Sequence, residues 1–411
     1  MNMLANLITN FVFWYPLIMS TTWIIGGILF YCRRERKPAI PLKETPMVSI
    51  LVPCYNESDT IRYTIEQLHK LNYPDYEIIA INDGSKDDTS EILYKLASEF
   101  DKLRIIDLKQ NAGKANALYL GLIASKGEFL MGIDADAYLD PNALNYLIPH
   151  FITPKNGERV GAVTGNPRVR NRSSLLSRIQ LCEFSSIISM IKRSQRLLGK
   201  VMTVSGVVVA FRKKALIDCG LWDRDIITED IGVTWKLQKR FWDIRYEPRA
   251  VCWMLVPETL IGLWKQRVRW AQGGMEVLIR HKNIFKDLRY RRLAPIYIEE
   301  LLSIVWAIGW ITLLIYSIYD MITGGPTIFR LFRSGAYLSV LCLIQFFVAM
   351  VIDRRYDEQL LKYYLWAIWY PTFYWYFNAF VIIRALPRAI TFRKRQKKFA
   401  TWNSPDRGIS A

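Results

Sequence analysis

Histidine, paired cysteines and low-complexity segments are scarce or absent in this sequence. Only three histidines occur, His69, His150 and His281, so a histidine-rich metal site or chemistry based on a histidine base is not expected. The six cysteines form no Cys-x-x-Cys pair, which gives no indication of a zinc site and favours reduced, structural thiols. Residues 1–31 contain no Asp, Glu, Lys or Arg.

The uncharged N-terminal stretch predicts a membrane span. Residues 7–31 are long enough to cross a bilayer, which takes about 20 apolar residues. A signal peptide would carry basic residues before its apolar segment, whereas here Arg33, Arg34, Arg36 and Lys37 follow it. Since basic residues stay on the cytoplasmic side of a span, we expect the next domain to lie in the cytoplasm.

Three further uncharged apolar segments, at 301–319, 334–352 and 363–383, predict a multi-pass protein of the cell membrane. Pro371 interrupts the last of them, and residues 384–398 then carry seven basic residues and no acidic one. Four spans would place this basic tail outside, whereas its charge favours the inside. Either 363–383 is re-entrant or interfacial, or the charge rule fails at this end.

The net charge of +18 is concentrated beside the apolar segments. Basic residues follow the first segment at 33–37 and precede the second at 289–292, which favours an anionic membrane surface over nucleic acid as the partner. We therefore predict an N-terminal transmembrane helix at 1–32, a cytoplasmic domain at 33–292, a C-terminal transmembrane region at 293–386 and a basic tail at 387–411. An interfacial amphipathic helix is expected near 258–275.

Short apolar runs alternate with helical patterns in the predicted cytoplasmic domain. The runs lie at 48–52, 77–81, 103–108 and 129–133, and helical patterns lie between them at 58–71 and 88–100. This alternation predicts an α/β fold with a doubly wound, mostly parallel sheet. Ligands bind such sheets beyond the carboxyl ends of the strands.

Carboxylates stand where that ligand site is expected. Asp83 follows the second predicted strand, Asp134 and Asp136 follow the fourth, and Asp230 closes Thr228-Glu229-Asp230. Such carboxylates suit a divalent metal that neutralises a diphosphate. Each of these patterns alone is typical of an ordinary turn, a solvated strand end or a helix start. Their order along the chain is the stronger signal.

Six short motifs carry that order: Val52-Pro53-Cys54-Tyr55-Asn56-Glu57, Asn82-Asp83-Gly84-Ser85, Gly113-Lys114-Ala115-Asn116-Ala117, Asp134-Ala135-Asp136, Thr228-Glu229-Asp230 and Gln266-Arg267-Val268-Arg269-Trp270. With them the sequence resembles the family 2 glycosyltransferases. The last motif, Gln-x-x-Arg-Trp, is typical of the processive membrane synthases of cellulose, chitin, hyaluronan and poly-N-acetylglucosamine.

Three further segments, 164–168, 252–259 and 400–408, resemble the members of that family that make the poly-β-1,6-N-acetylglucosamine of biofilms. The resemblance implies a GT-A-type fold and inverting, processive transfer from UDP-GlcNAc to a growing polysaccharide, coupled to export for the biofilm matrix. It also implies Mg²⁺ or Mn²⁺ as cofactor and a small membrane partner subunit. A hyaluronan or chitin synthase, and a non-processive glycosyltransferase acting on a lipid, remain alternatives.

The resemblance also implies roles for single residues of the donor site. Asp83 would bind the uracil base and Lys114 the nucleotide. Asp134 would lie at the nucleotide and Asp136 at the metal. Asp230 would be the catalytic base that takes the proton of the acceptor hydroxyl.

The acceptor side of the site is expected around the Gln-x-x-Arg-Trp motif. Gln266, Arg269 and Trp270 share one face of a predicted helix. By the resemblance, Arg269 would bind the diphosphate and Trp270 would lie under the terminal acceptor sugar, with Ser205 and Gly206 bordering that sugar. The pair Glu299-Glu300 lies just before the second apolar segment, either as interfacial carboxylates or as contacts of the polymer.

Overall fold

The computed structural model describes residues 3–154, 156–325, 327–391 and 400. The predicted basic tail beyond Thr391 and the motif at 400–408 therefore lie outside the described residues, apart from Ala400. The eight strands within the described part are β1 Val48–Cys54, β2 Tyr76–Asp83, β3 Leu103–Leu108, β4 Phe129–Gly132, β5 Ala137–Leu139, β6 Val160–Val169, β7 Val209–Arg212 and β8 Asp243–Met254.

The α-helices of the described residues are α1 Met3–Phe30, α2 Ile61–Leu68, α3 Thr89–Glu99, α4 Lys114–Ala124, α5 Ala143–Leu147, α6 Pro149–Ile152, α7 Leu175–Glu183, α8 Ile191–Leu197, α9 Lys213–Asp218, α10 Glu229–Lys239, α11 Leu260–His281, α12 Ala294–Ile322, α13 Thr327–Asp353 and α14 Tyr370–Ile390. Short π-helices span Tyr31–Glu35 and Phe184–Met190. Short 3₁₀ helices span Gly157–Arg159, Lys282–Lys286, Leu288–Tyr290 and Leu360–Ala367.

The strands form one sheet in the order β3-β2-β1-β4-β7-β6-β8-β5. Strands β1 to β4 are parallel, with β2 and β4 on either side of β1. Every residue of β1 and β2 is buried, as is usual for parallel strands that helices cover on both faces. The chain reverses its winding between β1 and β4, which opens a crevice at the carboxyl ends of these strands.

The second half of the sheet is mixed. Strand β7 runs antiparallel to β4 and β6, and β5 runs antiparallel to β8, whereas β6 and β8 are parallel. The doubly wound parallel arrangement predicted from the sequence is therefore confirmed for β1 to β4. The core on one face of the sheet joins the two halves, because strand residues pack there with apolar residues of α4 and α10, among them Leu51, Ile81, Phe211, Ala117, Leu118, Val233 and Leu237.

The described residues form two compact units that do not follow chain order. Residues 35–177 and 200–263 make the sheet unit, and residues 3–34, 178–199 and 264–391 make the helical unit. Three helical stretches are long and apolar enough to cross a membrane, Ala5–Glu35, Ala294–Ile322 and Gly335–Asp353. They coincide with the first three predicted spans.

The fourth predicted span is divided in the structure. Its residues belong partly to the 3₁₀ helix Leu360–Ala367 and partly to α14. Pro371 lies at the start of α14, where a missing N–H costs nothing and the fixed φ angle suits the helix. The proline therefore begins a helix here and does not interrupt one.

Polar contacts join the helices of the helical unit. Arg193 of α8 and Asp353 of α13 form a fully buried ion pair at 2.7 Å. The Glu299 carboxylate of α12 accepts hydrogen bonds from Trp23 Nε1 at 3.0 Å and Gln195 Nε2 at 3.2 Å. Charged side chains in apolar helices are costly unless they are paired, so these contacts specify which helices pack together.

Candidate active site

Asp83 organises the loop that leads into α4. Its carboxylate accepts hydrogen bonds from the backbone N–H groups of Ala112, at 2.9 Å, and Gly113, at 2.7 Å. Gly113 has a φ of +89°, a conformation that glycine adopts without strain. Burial raises the pKa of Asp83, and the two N–H groups offset part of that rise. The Asp83 side chain therefore holds the backbone that presents Lys114; its predicted contact with uracil stays a prediction.

Lys114 is the first residue of α4, and its ammonium group lies between two carboxylates. Lys114 Nζ is 2.5 Å from Asp134 Oδ1 and 3.0 Å from Glu229 Oε1. Burial disfavours the charged form of Lys114, but the charges of Asp134 and Glu229 outweigh burial and raise its pKa. Lys114 is therefore a fixed cation at physiological pH, surrounded by more negative than positive charge.

Asp230 lies in the first turn of α10 and is partly exposed. The Thr234 hydroxyl donates to the Asp230 carbonyl oxygen at 2.6 Å and accepts from the Val204 N–H at 3.0 Å. These bonds tie the start of α10 to the segment that contains Ser205 and Gly206. A helix N-terminus also favours negative charge, and the Ile231 N–H donates to Asp230 Oδ1 at 2.9 Å, so the partly exposed carboxylate is stabilised in its ionised form.

Gly206 borders both the predicted base and the cation. A Cβ atom at this position would lie 3.3 Å from Asp230 Oδ2 and 3.4 Å from Lys114 Nζ. The structure therefore brings Lys114, Asp134, Asp230 and Gly206 together. Ser205 next to them is buried, and its N–H donates to Thr164 Oγ1 at 2.9 Å.

We expect Gly206→Ala to lower turnover about tenfold, because an added methyl group must displace Asp230 or Lys114, and small misplacements of catalytic groups are costly. Gly132→Ala is the matched control, since the nearest atom to its added Cβ would be 3.8 Å away. Initial rates of sugar transfer by the two variants make the comparison. Equal rates would mean that Gly206 does not border the reacting groups.

Asp134 and Asp136 lie in the short connection between β4 and β5. Asp134 is partly exposed and Asp136 is buried. Burial raises the pKa of the Cys252 thiol, and the charges of these two carboxylates raise it further. Cys252 is therefore an unreactive neighbour of the site.

The two carboxylates of Asp134 and Asp136 fit a metal that is held mainly by the donor substrate. Mg²⁺ bound to nucleotide phosphates usually takes one or two protein carboxylates and completes its shell with phosphate oxygens and water. Within the part of the chain that the structure describes, no group of three His, Cys, Asp or Glu side chains forms a metal site without such a ligand.

Gln266, Arg269 and Trp270 belong to α11, within the helical unit. Gln266 is buried, whereas Arg269 and Trp270 are partly exposed. The guanidinium of the intervening Arg267 lies 4.3 Å from the centre of the Trp270 ring. The three motif residues therefore share a helix as predicted, and their contacts with substrate stay predictions.

Sequence reasoning missed Glu229, Arg267 and Glu183. Glu229 pairs with Lys114, and the motif Thr228-Glu229-Asp230 is the one feature of the sequence that points to it. Arg267 Nη2 donates to Glu183 Oε2 at 2.8 Å, a partner 84 residues away in the chain. Nothing in the sequence near Glu183 indicates that partner.

Comparisons with known proteins show which proteins this chain resembles. The family described as "Glycosyltransferase like family 2" matches residues 46–273. The poly-β-1,6-N-acetyl-D-glucosamine synthase of Staphylococcus aureus strain MSSA476 is 45% identical, over 97% of this chain and 98% of that protein. The synthase of the same name from Staphylococcus epidermidis is 44% identical, over 98% of each chain.

The fold is shared with a solved glycosyltransferase. The mannosyltransferase PcManGT from Pyrobaculum calidifontis, solved with GDP-Man and Mn²⁺, matches with a TM-score of 0.65 at 19% identity and covers 92% of this chain and 99% of its own. This likeness confirms the predicted GT-A-type fold. With the family match over residues 46–273 and relatives 45% identical along almost the whole length, the chain belongs to family 2 of the glycosyltransferases.

Proposed function

We propose that this enzyme polymerises N-acetylglucosamine from UDP-GlcNAc into poly-β-1,6-N-acetyl-D-glucosamine by inverting, processive transfer. The observation that carries the proposal is the 45% identity, over 98% of their length, to synthases named for that product. The arrangement of Lys114, Asp134, Glu229 and Asp230 supports it chemically.

Inversion requires a single in-line displacement, because the sugar–phosphate bond of the donor is α and the product linkage is β. Asp230 accepts the proton of the attacking hydroxyl as that oxygen bonds to the anomeric carbon. The leaving group is UDP, whose diphosphate accumulates negative charge. Lys114, whose ammonium group lies beside Asp134, stabilises this charge. By the family motif, Arg269 stabilises it as well.

A divalent cation, Mg²⁺ or Mn²⁺, fits the same site. Asp136 and Asp134 would hold it together with the diphosphate, and when bound it would neutralise the leaving group. The acceptor is the growing polysaccharide. By the family resemblance, Trp270, Gln266, Ser205 and Gly206 would contact its terminal sugar. Asp83 would bind the uracil base of the donor, and it also holds the loop that leads to Lys114.

The test is a comparison of single nucleotide sugars. Membranes that contain the enzyme are incubated with one radiolabelled nucleotide sugar at a time, and the polymer is analysed for its linkages. We expect UDP-GlcNAc alone to yield a polymer with β-1,6 linkages. A need for a second nucleotide sugar would indicate a hyaluronan synthase, and β-1,4 linkages a chitin synthase; either result would overturn the proposal.

We also propose that the sheet unit faces the cytoplasm, where nucleotide sugars are made. The basic residues at 33–37 and 289–292 support this orientation. Lys70 is exposed and Cys32 is the one exposed cysteine of the described residues, so a Lys70→Cys variant in a Cys32→Ser background carries a single accessible thiol. We expect a membrane-impermeant maleimide to label it only after the cells are permeabilised. Labelling of intact cells would show that the sheet unit faces the outside and would contradict this proposal.

A small membrane subunit and export of the polymer for a biofilm matrix complete the proposal, on the strength of the family resemblance. Co-purification from membranes of the native organism, followed by mass spectrometry of the proteins that accompany the enzyme, tests for the subunit. Isolation of the enzyme alone, fully active in polymer synthesis, would remove the subunit from the proposal.

A further inference from the structure

The segment at 201–208 passes through the candidate active site without forming a helix or a strand, and β7 begins directly after it. Val201 and Val208 are fully buried, although connecting segments usually run over the surface, where water satisfies their backbone polar groups. Gly206 belongs to this segment, and a Cβ atom there would lie 3.3 Å from Asp230 Oδ2. The side chains that bind the segment therefore also fix the backbone beside the predicted base.

Gln238 of α10 binds the start of the segment. Its side chain is buried, its Oε1 accepts from the Val201 N–H at 3.1 Å, and its Nε2 donates to the Val201 carbonyl oxygen at 2.9 Å. One amide thus satisfies both backbone polar groups of one residue, as a neighbouring strand would. Two residues earlier, Gly199 has a φ of +95°, and no atom of the described residues lies within 4 Å of the place of its missing Cβ. Gln238 is therefore the contact at which the chain becomes fixed.

The residues of α10 that hold the segment lie in one row with the predicted base. Asp230, Thr234 and Gln238 follow each other at intervals of four residues, so they share one face of the helix. The Thr234 hydroxyl accepts from the Val204 N–H at 3.0 Å and donates to the Asp230 carbonyl oxygen at 2.6 Å. Because a helix rises about 1.5 Å per residue, the helix carries the base and, within about 12 Å of it, both side chains that bind the segment.

Strand β6 holds the other end of the same segment. The Ser205 N–H donates to Thr164 Oγ1 of this strand at 2.9 Å, immediately before Gly206. The sheet therefore fixes the backbone at Gly206, whereas Thr234 and Gln238 fix α10 to the stretch that precedes it. If the contacts of α10 are removed, the helix that carries the base can shift while the backbone at Gly206 stays in place.

We propose that Gln238 is a positioning residue for sugar transfer, which together with Thr234 sets the distance between the Asp230 carboxylate and the backbone at Gly206. A general base must lie within hydrogen-bonding reach of the proton that it takes, and a misplacement of about 1 Å can cost about a hundredfold in rate. Gln238 acts through Val201 and through α10, not on the reacting atoms. The inference rests on the proposed function, because that function assigns the proton transfer to Asp230.

The test measures N-acetylglucosamine transfer per UDP-binding site, for variants of the full chain in membranes. Gln238→Met keeps the length of the side chain but loses both bonds to Val201, and Thr234→Val keeps its shape but loses both of its own bonds. We expect each to lower the rate per site about tenfold. UDP affinity should stay within twofold, because Asp83 and Lys114 lie on other elements. Thr234→Ser restores the hydroxyl and should retain at least half of the rate.

Tyr76→Phe is the matched control for the loss of a buried hydrogen bond. The Tyr76 hydroxyl donates to the Leu68 carbonyl oxygen at 3.0 Å, at the opposite end of β2 from Asp83, and its removal should leave the rate per site within twofold of the unaltered chain.

A purely structural role of Gln238 would reduce the number of UDP-binding sites and leave the rate per site unchanged. A rate per site within twofold for Gln238→Met, or an equal loss in Tyr76→Phe, would therefore overturn the inference. If the unaltered chain transferred N-acetylglucosamine and Gln238→Met matched it per site, only this inference would fail. If the unaltered chain transferred none, the proposed function would fail and the inference with it.

Discussion

Polymer synthesis by an Asp230→Asn variant is expected to fall at least a hundredfold. Asparagine keeps the shape of the side chain but cannot take a proton from the acceptor hydroxyl, and general-base catalysis is worth roughly 10²–10⁴-fold in rate. The backbone of Asp230 is held through Thr234, so the substitution should leave the start of α10 in place. The measurement is the initial rate of N-acetylglucosamine incorporation in membranes, at equal amounts of enzyme.

Asp225→Asn is the control for this experiment. Asp225 is an exposed carboxylate five residues earlier in the chain, and its substitution makes the same chemical change. We expect it to retain nearly full activity, and we expect both variants to bind UDP. An Asp230→Asn enzyme that retained more than a tenth of the normal rate would assign the proton transfer to another group.

Lys114→Met is expected to lower kcat/KM for UDP-GlcNAc at least hundredfold. The substitution removes the cation that lies against Asp134 and Glu229 and leaves these carboxylates, with Asp230 nearby, to repel the diphosphate. Loss of one group that stabilises charge in the transition state typically costs about 10²–10³-fold. Methionine preserves the length and apolar contacts of the lysine stem, so the packing of α4 is changed little.

Two variants make the Lys114 result specific. Lys114→Arg keeps the charge but changes its geometry, and we expect it to recover part of the activity. Lys70→Met removes a charge from an exposed position of the same unit and should be neutral. A Lys114→Met enzyme with a normal KM and a normal kcat would show that the cation serves only to stabilise the fold.

Local pattern was enough to predict the parallel half of the sheet. The run at 103–108 is a strand over those same residues, and the run at 48–52 is extended only to Cys54. Both strand predictions are correct because a parallel strand between covering helices is apolar along its length and ends at polar residues. The motifs at the strand ends then indicated the donor site, since the carboxyl ends of parallel strands meet at one edge.

The mixed half of the sheet could not be predicted in this way. Strand β7 is four residues long, and its antiparallel direction is set by pairing with β4 and β6, which are distant in sequence. A short apolar run is equally consistent with a parallel or an antiparallel strand, because its side-chain pattern does not show which strand lies beside it. The same holds for residues 178–199, which pack with the apolar helices although they follow a strand of the sheet unit.

The sequence by itself determined the family, the candidate carboxylates at the strand ends and the three apolar helices, because motif order and long uncharged runs are properties of the chain alone. Tertiary structure alone decided that Glu229 shares Lys114 with Asp134, that Glu183 fixes Arg267 above Trp270, and that Glu300 faces a cavity while Glu299 binds its neighbours. The pairs Lys114–Glu229 and Glu183–Arg267 join residues far apart in the chain, and the cavity is enclosed by helices that are likewise distant in sequence. A side chain's partner depends on which elements pack together, and adjacent carboxylates in one helix point to different neighbours.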